Sequence, residues 1–265
     1  LHRLIRRQRQ MCIRDSSLTD VHKRLGGKDV LRGMNMHVKE GETYVIIGRS
    51  GIGKSVTIKH MVGLMRADSG KVTVDGVDVG GLTRKELLRF RLKFGFLFQS
   101  NALLNSLNVF ENVALSLREH TRKNERKIKE KVREKLALVG LEEAGHMMPA
   151  DLSGGMRKRV ALARAIVMDP QIILYDEPTT GLDPITCDLI NHMIRDMQKK
   201  LGVTGVVVTH DMKSAYFVGD RIGLLHDGRI IQEGRPEEIR DSRDERVQQF
   251  IRGLAQGPLT REHDD

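Results

Sequence analysis

The residues equipped for chemistry begin at Gly48, where GRSGIGKS matches the G-x-x-x-x-G-K-[ST] pattern at every fixed position. Glycines are needed where a backbone bends tightly around phosphate oxygens, and amides that open a helix hold negative charge. Gly48, Arg49, Ser50, Gly51, Ile52, Gly53, Lys54, Ser55 and Val56 are therefore the candidate nucleotide-binding residues. Lys54 is expected to reach the β- and γ-phosphates, and Ser55 to offer its hydroxyl to Mg²⁺. A second cluster follows the apolar run Ile172–Tyr175, which ends in Asp176 and Glu177. Adjacent carboxylates there imply divided labour, with Asp176 holding the metal and Glu177 polarising an attacking water as general base.

Such groups must be positioned by strands and by the helices that follow them. Tyr44–Ile47, Ile172–Tyr175 and Val206–Val208 have the length and composition of buried strands. Ile58, Met61, Val62 and Met65 continue the phosphate loop at helical spacing. Before them, Gly26–Gly27, Lys39–Gly41 and Asp75–Gly76 punctuate short β-rich runs, so a strand-rich opening is expected. The segment Leu152–Ile166, LSGGMRKRVALARAI, places Ser153 and two glycines ahead of a helix whose apolar positions include Val160, Leu162, Ala163 and Ile166. That is a second anion site at a helix N-terminus.

This combination resembles the ATP-binding-cassette family, and the resemblance runs from about Leu18 to Gly257. It implies an α/β fold, with a RecA-like P-loop core, an antiparallel β subdomain and an α-helical signature subdomain at roughly 100–165. ATP and Mg²⁺ are the implied cofactors. Leu152, Ser153, Gly154, Gly155 and Met156 match the signature, which in this family serves the nucleotide bound by a second copy in a head-to-tail dimer. Gln99 matches the glutamine that contacts metal and attacking water, and Asp183 matches the loop at the dimer seam. His210 matches the switch histidine that reads the γ-phosphate. The resemblance thus gives Glu177, His210 and Gln99 as catalytic residues and Ser55, Gln99 and Asp176 as metal contacts. Leu25 stands where the family commonly has an aromatic residue over the adenine, so base stacking is forfeited there.

The chain's 265 residues and 39% hydrophobic content suffice for one core with a subdomain, and its apolar runs are strand-sized rather than membrane-spanning. Cys12 and Cys187 stand too far apart to suggest a disulfide framework or zinc site. The net charge of +10 is local, with five arginines in residues 1–14 and eight basic against three acidic residues in Thr121–Lys135. The second stretch places Ile128, Val132, Leu136 and Val139 at helical spacing, with Glu125 four residues before Lys129, as in a solvated amphipathic helix. No nucleic-acid partner is implied. Residues 1–16 are read as foreign to the fold, 17–247 as the cassette and 248–265 as a tail.

Three less general segments narrow the branch: LFQSNALLNSLNVFENVALSLREHT, LSGGM with methionine where glutamine is commoner, and RVQQFIRGLAQGP. They resemble the ATPases of Mla-type phospholipid transport. That likeness implies an MlaE-like permease, an MCE-domain MlaD-like protein and a STAS-domain MlaB-like protein as partners. It also implies a peripheral position on the cytoplasmic face of the bacterial inner membrane. Leu97–Phe110 is the expected permease groove, with Leu103, Leu104, Val109 and Phe110 as contacts or as subdomain core. The alternatives are the ATPase of another importer, or a soluble cassette protein acting without a permease.

Overall fold

The structure is a computed structural model that describes residues 15–261. It opens with an antiparallel hairpin, β1 (Ser16–Leu25) and β2 (Lys28–Val38), followed by β3 (Thr43–Ile47) and α1 (Lys54–Met61). Next come β4 (Ser69–Val74), β5 (Val77–Asp78), α2 (Arg84–Arg91) and β6 (Phe94–Leu97). Three helices follow: α3 (Val109–His120), α4 (Glu125–Leu138) and α5 (Gly154–Ile166). Then α/β alternation resumes with β7 (Ile172–Asp176), α6 (Pro184–Leu201), β8 (Thr204–Thr209), α7 (Met212–Val218) and the hairpin β9 (Arg221–His226) and β10 (Arg229–Gly234). Short helices α8 (Pro236–Arg240), α9 (Glu245–Arg252) and α10 (Pro258–Arg261) complete the described chain.

The strands form two sheets, β2-β1-β4-β5, all antiparallel, and β10-β9-β3-β8-β7-β6, parallel except for β10. In the parallel sheet successive side chains point to opposite cores. Tyr44, Ile46, Leu174, Val206 and Val208 join the core shared with the β subdomain and α1. Val45, Ile47, Ile173, Tyr175 and Val207 join the core shared with the helical subdomain, α6 and α7. Because both faces are covered, these strands read as continuous apolar runs, which is why they were legible.

Helix starts follow local chemistry. Asn108, Asn124, Ser153 and Asp183 each accept a backbone N–H of the first turn of α3, α4, α5 and α6. In α5, Val160, Leu162, Ala163 and Ile166 are all buried, and in α4 so are Ile128, Val132 and Leu136.

The structure differs from the sequence reading at several points. Helix α1 stops at Met61 because Gly63 turns into the left-handed region, so Met65 lies beyond the helix. Glu125 is engaged by Arg118, at 3.0 and 3.1 Å, rather than by Lys129, tying α3 to α4. Ser16 is buried and pairs with Val38 and Val74, while Asp15 accepts the Glu40 N–H at 3.0 Å. The last two residues of the segment read as foreign are therefore part of the β subdomain; residues 1–14 lie outside the described residues. Helix α9 runs across the 247/248 boundary, and Leu259 beyond it is buried. Val109 is wholly buried in the helical core, whereas Leu104 is 44% exposed. Among the described residues no helix is long and apolar enough to cross a membrane.

Candidate functional site

The strand order β3-β8-β7 decides the geometry of the site. With β8 between them, β3 and β7 lie about 10 Å apart, and their carboxyl ends open on the same crevice. The phosphate loop leaves β3, the Asp176–Glu177 pair leaves β7, and His210 leaves the strand in between.

Two glycines of the loop are required by close approach. Gly48 takes φ +152°, and a Cβ there would stand 2.5 Å from Ile52 Cδ1 and 2.7 Å from the Leu225 carbonyl. Gly53, at φ +108°, caps α1, and its Cβ would meet Val30 Cγ1 at 2.8 Å. The loop is thus clasped by the β1–β2 hairpin on one side and β9 on the other. Lys54 is buried, and its Nζ donates to the carbonyls of Gly48 and Arg49 at 2.8 and 3.0 Å. It also lies 3.5 Å from Glu177 Oε1. Burial lowers the Lys54 pKa, and the negative charge of Glu177 opposes the shift.

The carboxylates are held differently. Ser55 Oγ donates to Asp176 Oδ1 at 2.7 Å. Burial pushes the Asp176 carboxyl up from its ordinary value, with the Ser55 bond and Lys59 acting against it. Glu177 has a left-handed φ of +49°, a conformation that costs a non-glycine residue about 1–3 kcal/mol. Its N–H donates to Val208 O at 2.9 Å, and Thr180 Oγ1 donates to its Oε2 at 3.0 Å. Nδ1 of His210 stands 2.9 Å from the same oxygen.

Ser50, Gly51, Gly53, Lys54, Ser55, Val56, Gln99, Glu177, Thr180 and His210 line one cleft of about 370 Å³. Gln99 reaches it from the segment after β6. The signature residues line no part of it. Ser153 caps α5, its Oγ accepting the Met156 N–H at 3.2 Å, and Gly155 is so close to α6 that a Cβ would lie 2.6 Å from Thr186 Cγ2. Asp183 accepts from Thr186 Oγ1 at 2.6 Å and from the N–H groups of Ile185 and Thr186, bonds that hold its carboxyl below the usual value. Within one chain, signature and seam loop therefore stand together, apart from the phosphate loop.

Two contributors went unread. Thr180 was signalled only by a hydroxyl three residues after Glu177. Lys158 lies four residues before Leu162, on the inward row of α5, and its Nζ donates to Gln99 O at 3.0 Å. Arg49, read as a nucleotide-binding residue of the loop, donates Nη1 to the Leu259 carbonyl at 2.8 Å, a contact over 210 residues of chain that no spacing announces.

A phosphate loop, paired carboxylates after the second strand over and a capped signature helix define an ATPase cassette. The profile of the ABC transporter family matches residues 31–180, more than half of the chain, and the chain belongs to that family. It is 40% identical over 234 residues to the "Intermembrane phospholipid transport system ATP-binding protein MlaF" of Haemophilus influenzae, covering 88% of this chain and 89% of that one. It is 41% identical over 237 residues to the "Probable ribonucleotide transport ATP-binding protein mkl" of Mycobacterium bovis, covering 89% of this chain and 66% of that one. Among solved structures, a dimeric post-hydrolysis state of the ATP-binding cassette MJ0796 bound to ADP and Pi superposes with a TM-score of 0.77 at 36% identity, covering 83% of this chain and 98% of that one.

Proposed function

We propose that this chain is the ATP-hydrolysing subunit of a Mla-type phospholipid transporter, acting as a head-to-tail pair on the cytoplasmic face of the inner membrane. The observation that carries the reading is the convergence of Lys54, Ser55, Gln99, Glu177 and His210 on one cleft, with Asp176 hydrogen-bonded to Ser55 beside it, in a chain alignable with MlaF over about nine-tenths of both lengths. The P-loop amides and Lys54 bind the phosphates, exchanging the carbonyl contacts of Lys54 for phosphate oxygens. Ser55 and Asp176 fit a divalent cation, since a buried carboxylate faces a hydroxyl at 2.7 Å, and with Gln99 they would hold Mg²⁺. Bound there, Mg²⁺ would neutralise developing phosphate charge. Glu177 polarises the attacking water, and His210, beside Glu177, reads the γ-phosphate.

Because the signature stands apart from its own phosphate loop, the nucleotide is completed by the signature of a second copy, and closure followed by reopening drives an MlaE-like permease. Leu103, Leu104 and Phe110 are the surface offered to it. An MCE-domain MlaD-like protein and a STAS-domain MlaB-like protein are the further partners. A second reading, as a ribonucleotide-transport ATPase, draws on the name of the mycobacterial relative. The experiment is purification of the tagged subunit from native membranes, followed by identification of partners and extraction of bound molecules. Recovery of an MlaE-like permease with an MCE protein and phospholipid is expected; recovery of ribonucleotides bound to a different permease would replace the lipid reading.

A further inference from the structure

Helix α5 carries a buried cation that the chemistry above does not use. Lys158 is 2% exposed; its hydrogen bond goes to the Gln99 carbonyl at 3.0 Å, and the carboxylates of Asp176 and Glu177 favour its charge from a distance without an ion-pair contact. An ammonium buried without a carboxylate in contact is costly, and an apolar side chain at that place would be easier to accommodate. Its target is a strained segment. Asn101 and Ala102, two and three residues after the glutamine, have φ of +63° and +50°, and alanine has no side-chain bond to support a left-handed backbone. Both of their carbonyls are captured by Arg164 of the same helix, Nη1 to Ala102 O at 2.6 Å and Nη2 to Asn101 O at 2.8 Å. The chain leaving β6 is thus held through three carbonyls by two cations of the signature helix.

We infer that Lys158, supported by Arg164, is a positioning residue for hydrolysis: it fixes Gln99 in the cleft of its own chain to the helix that begins at the signature. The inference rests on the head-to-tail reading and deepens it. When the signature closes on the nucleotide of a second copy, α5 shifts, and through Lys158 the glutamine attending the first nucleotide shifts with it. The two sites of the pair are thereby coupled through a single side chain at each.

The test is a double-mutant cycle in the full-length chain, with turnover, nucleotide affinity by a fluorescent ATP analogue and melting temperature measured for each variant. Lys158→Met keeps the apolar stem and removes the donor, and should lower kcat about tenfold with affinity and melting temperature unchanged. It should also bring the Hill coefficient of ATP turnover down toward one. Lys158→Gln, which restores a neutral donor, should recover most of the rate. In a Gln99→Ala background, Lys158→Met should cause no further loss. Parental turnover of Lys158→Met beside a slow Gln99→Ala would overturn the positioning role alone, as would losses that simply multiply. Parental turnover of Gln99→Ala would remove the role of the glutamine itself, and the inference with it. Should Lys158→Met fail to fold, Lys158→Gln and Arg164→Lys complete the cycle with Gln99→Ala.

Discussion

Glu177 combines a strained backbone, near-complete burial and three neighbours on its carboxylate: Lys54, Thr180 and His210. Removing a general base lowers rate by about 10²–10⁴, so Glu177→Gln should show that loss in steady-state hydrolysis while still binding a fluorescent ATP analogue. Parental turnover in this variant would dismiss Glu177 as the base. Lys54→Ala should behave oppositely, weakening analogue binding first, because its ammonium lies against the loop that receives the phosphates. Both residues were singled out by residue type at fixed spacing. Thr180 was not, since a hydroxyl after a carboxylate is common and only the turn brings it to 3.0 Å.

Elements are held by their packing and by a few buried polar ties. Leu136 is 1% exposed in the core of the helical subdomain, so Leu136→Ala should cost about 2–5 kcal/mol in denaturant unfolding. Gly155→Ala would drive a Cβ to 2.6 Å from Thr186 and should destabilise by about 1–3 kcal/mol in the same measurement, by forcing α5 away from α6. Asp220 joins β3 to α6: it accepts the Thr43 N–H at 2.8 Å, Arg195 Nη1 at 2.9 Å and the Gln198 amide. Burial alone would raise its pKa, but these bonds outweigh it and hold the carboxyl below its ordinary value. A depressed carboxylate stabilises the fold above its unfolded pKa, about 3.9, and that contribution is lost as pH falls through the lower folded value. Asp220→Asn should therefore melt below the parent at neutral pH, and the gap should close on acidification below about pH 4. A gap independent of pH would show that shape, not charge, holds this junction.

At the scale of the molecule, the proposed head-to-tail pair divides the site between chains. A substitution in the signature, such as Ser153→Glu, should abolish most turnover while leaving fluorescent-ATP binding to the dilute subunit near parental. The reason is that Ser153 lies outside the cleft that holds Lys54 and Glu177. Equal loss of binding in the dilute subunit would mean that the signature serves its own nucleotide. Arg49 adds a second long-range tie, carrying the segment after α9 to the phosphate loop.

The sequence by itself determined the candidate chemical groups and the buried strands that carry them. GRSGIGKS, Asp176–Glu177 and the fully apolar strands are local patterns, because phosphate cradles and doubly covered strands both demand particular residues at consecutive positions. The tertiary structure decided everything that depends on which distant segments meet. The insertion of β8 between β3 and β7 sets the width of the crevice, and the exit of β8 puts His210 against Glu177. Only packing turns Lys158 inward onto Gln99, buries Val109 instead of offering it to a partner, and seats Leu259 against Arg49. Such contacts join residues far apart along the chain, and no sequence period encodes a contact whose partner is chosen by the topology of the sheet.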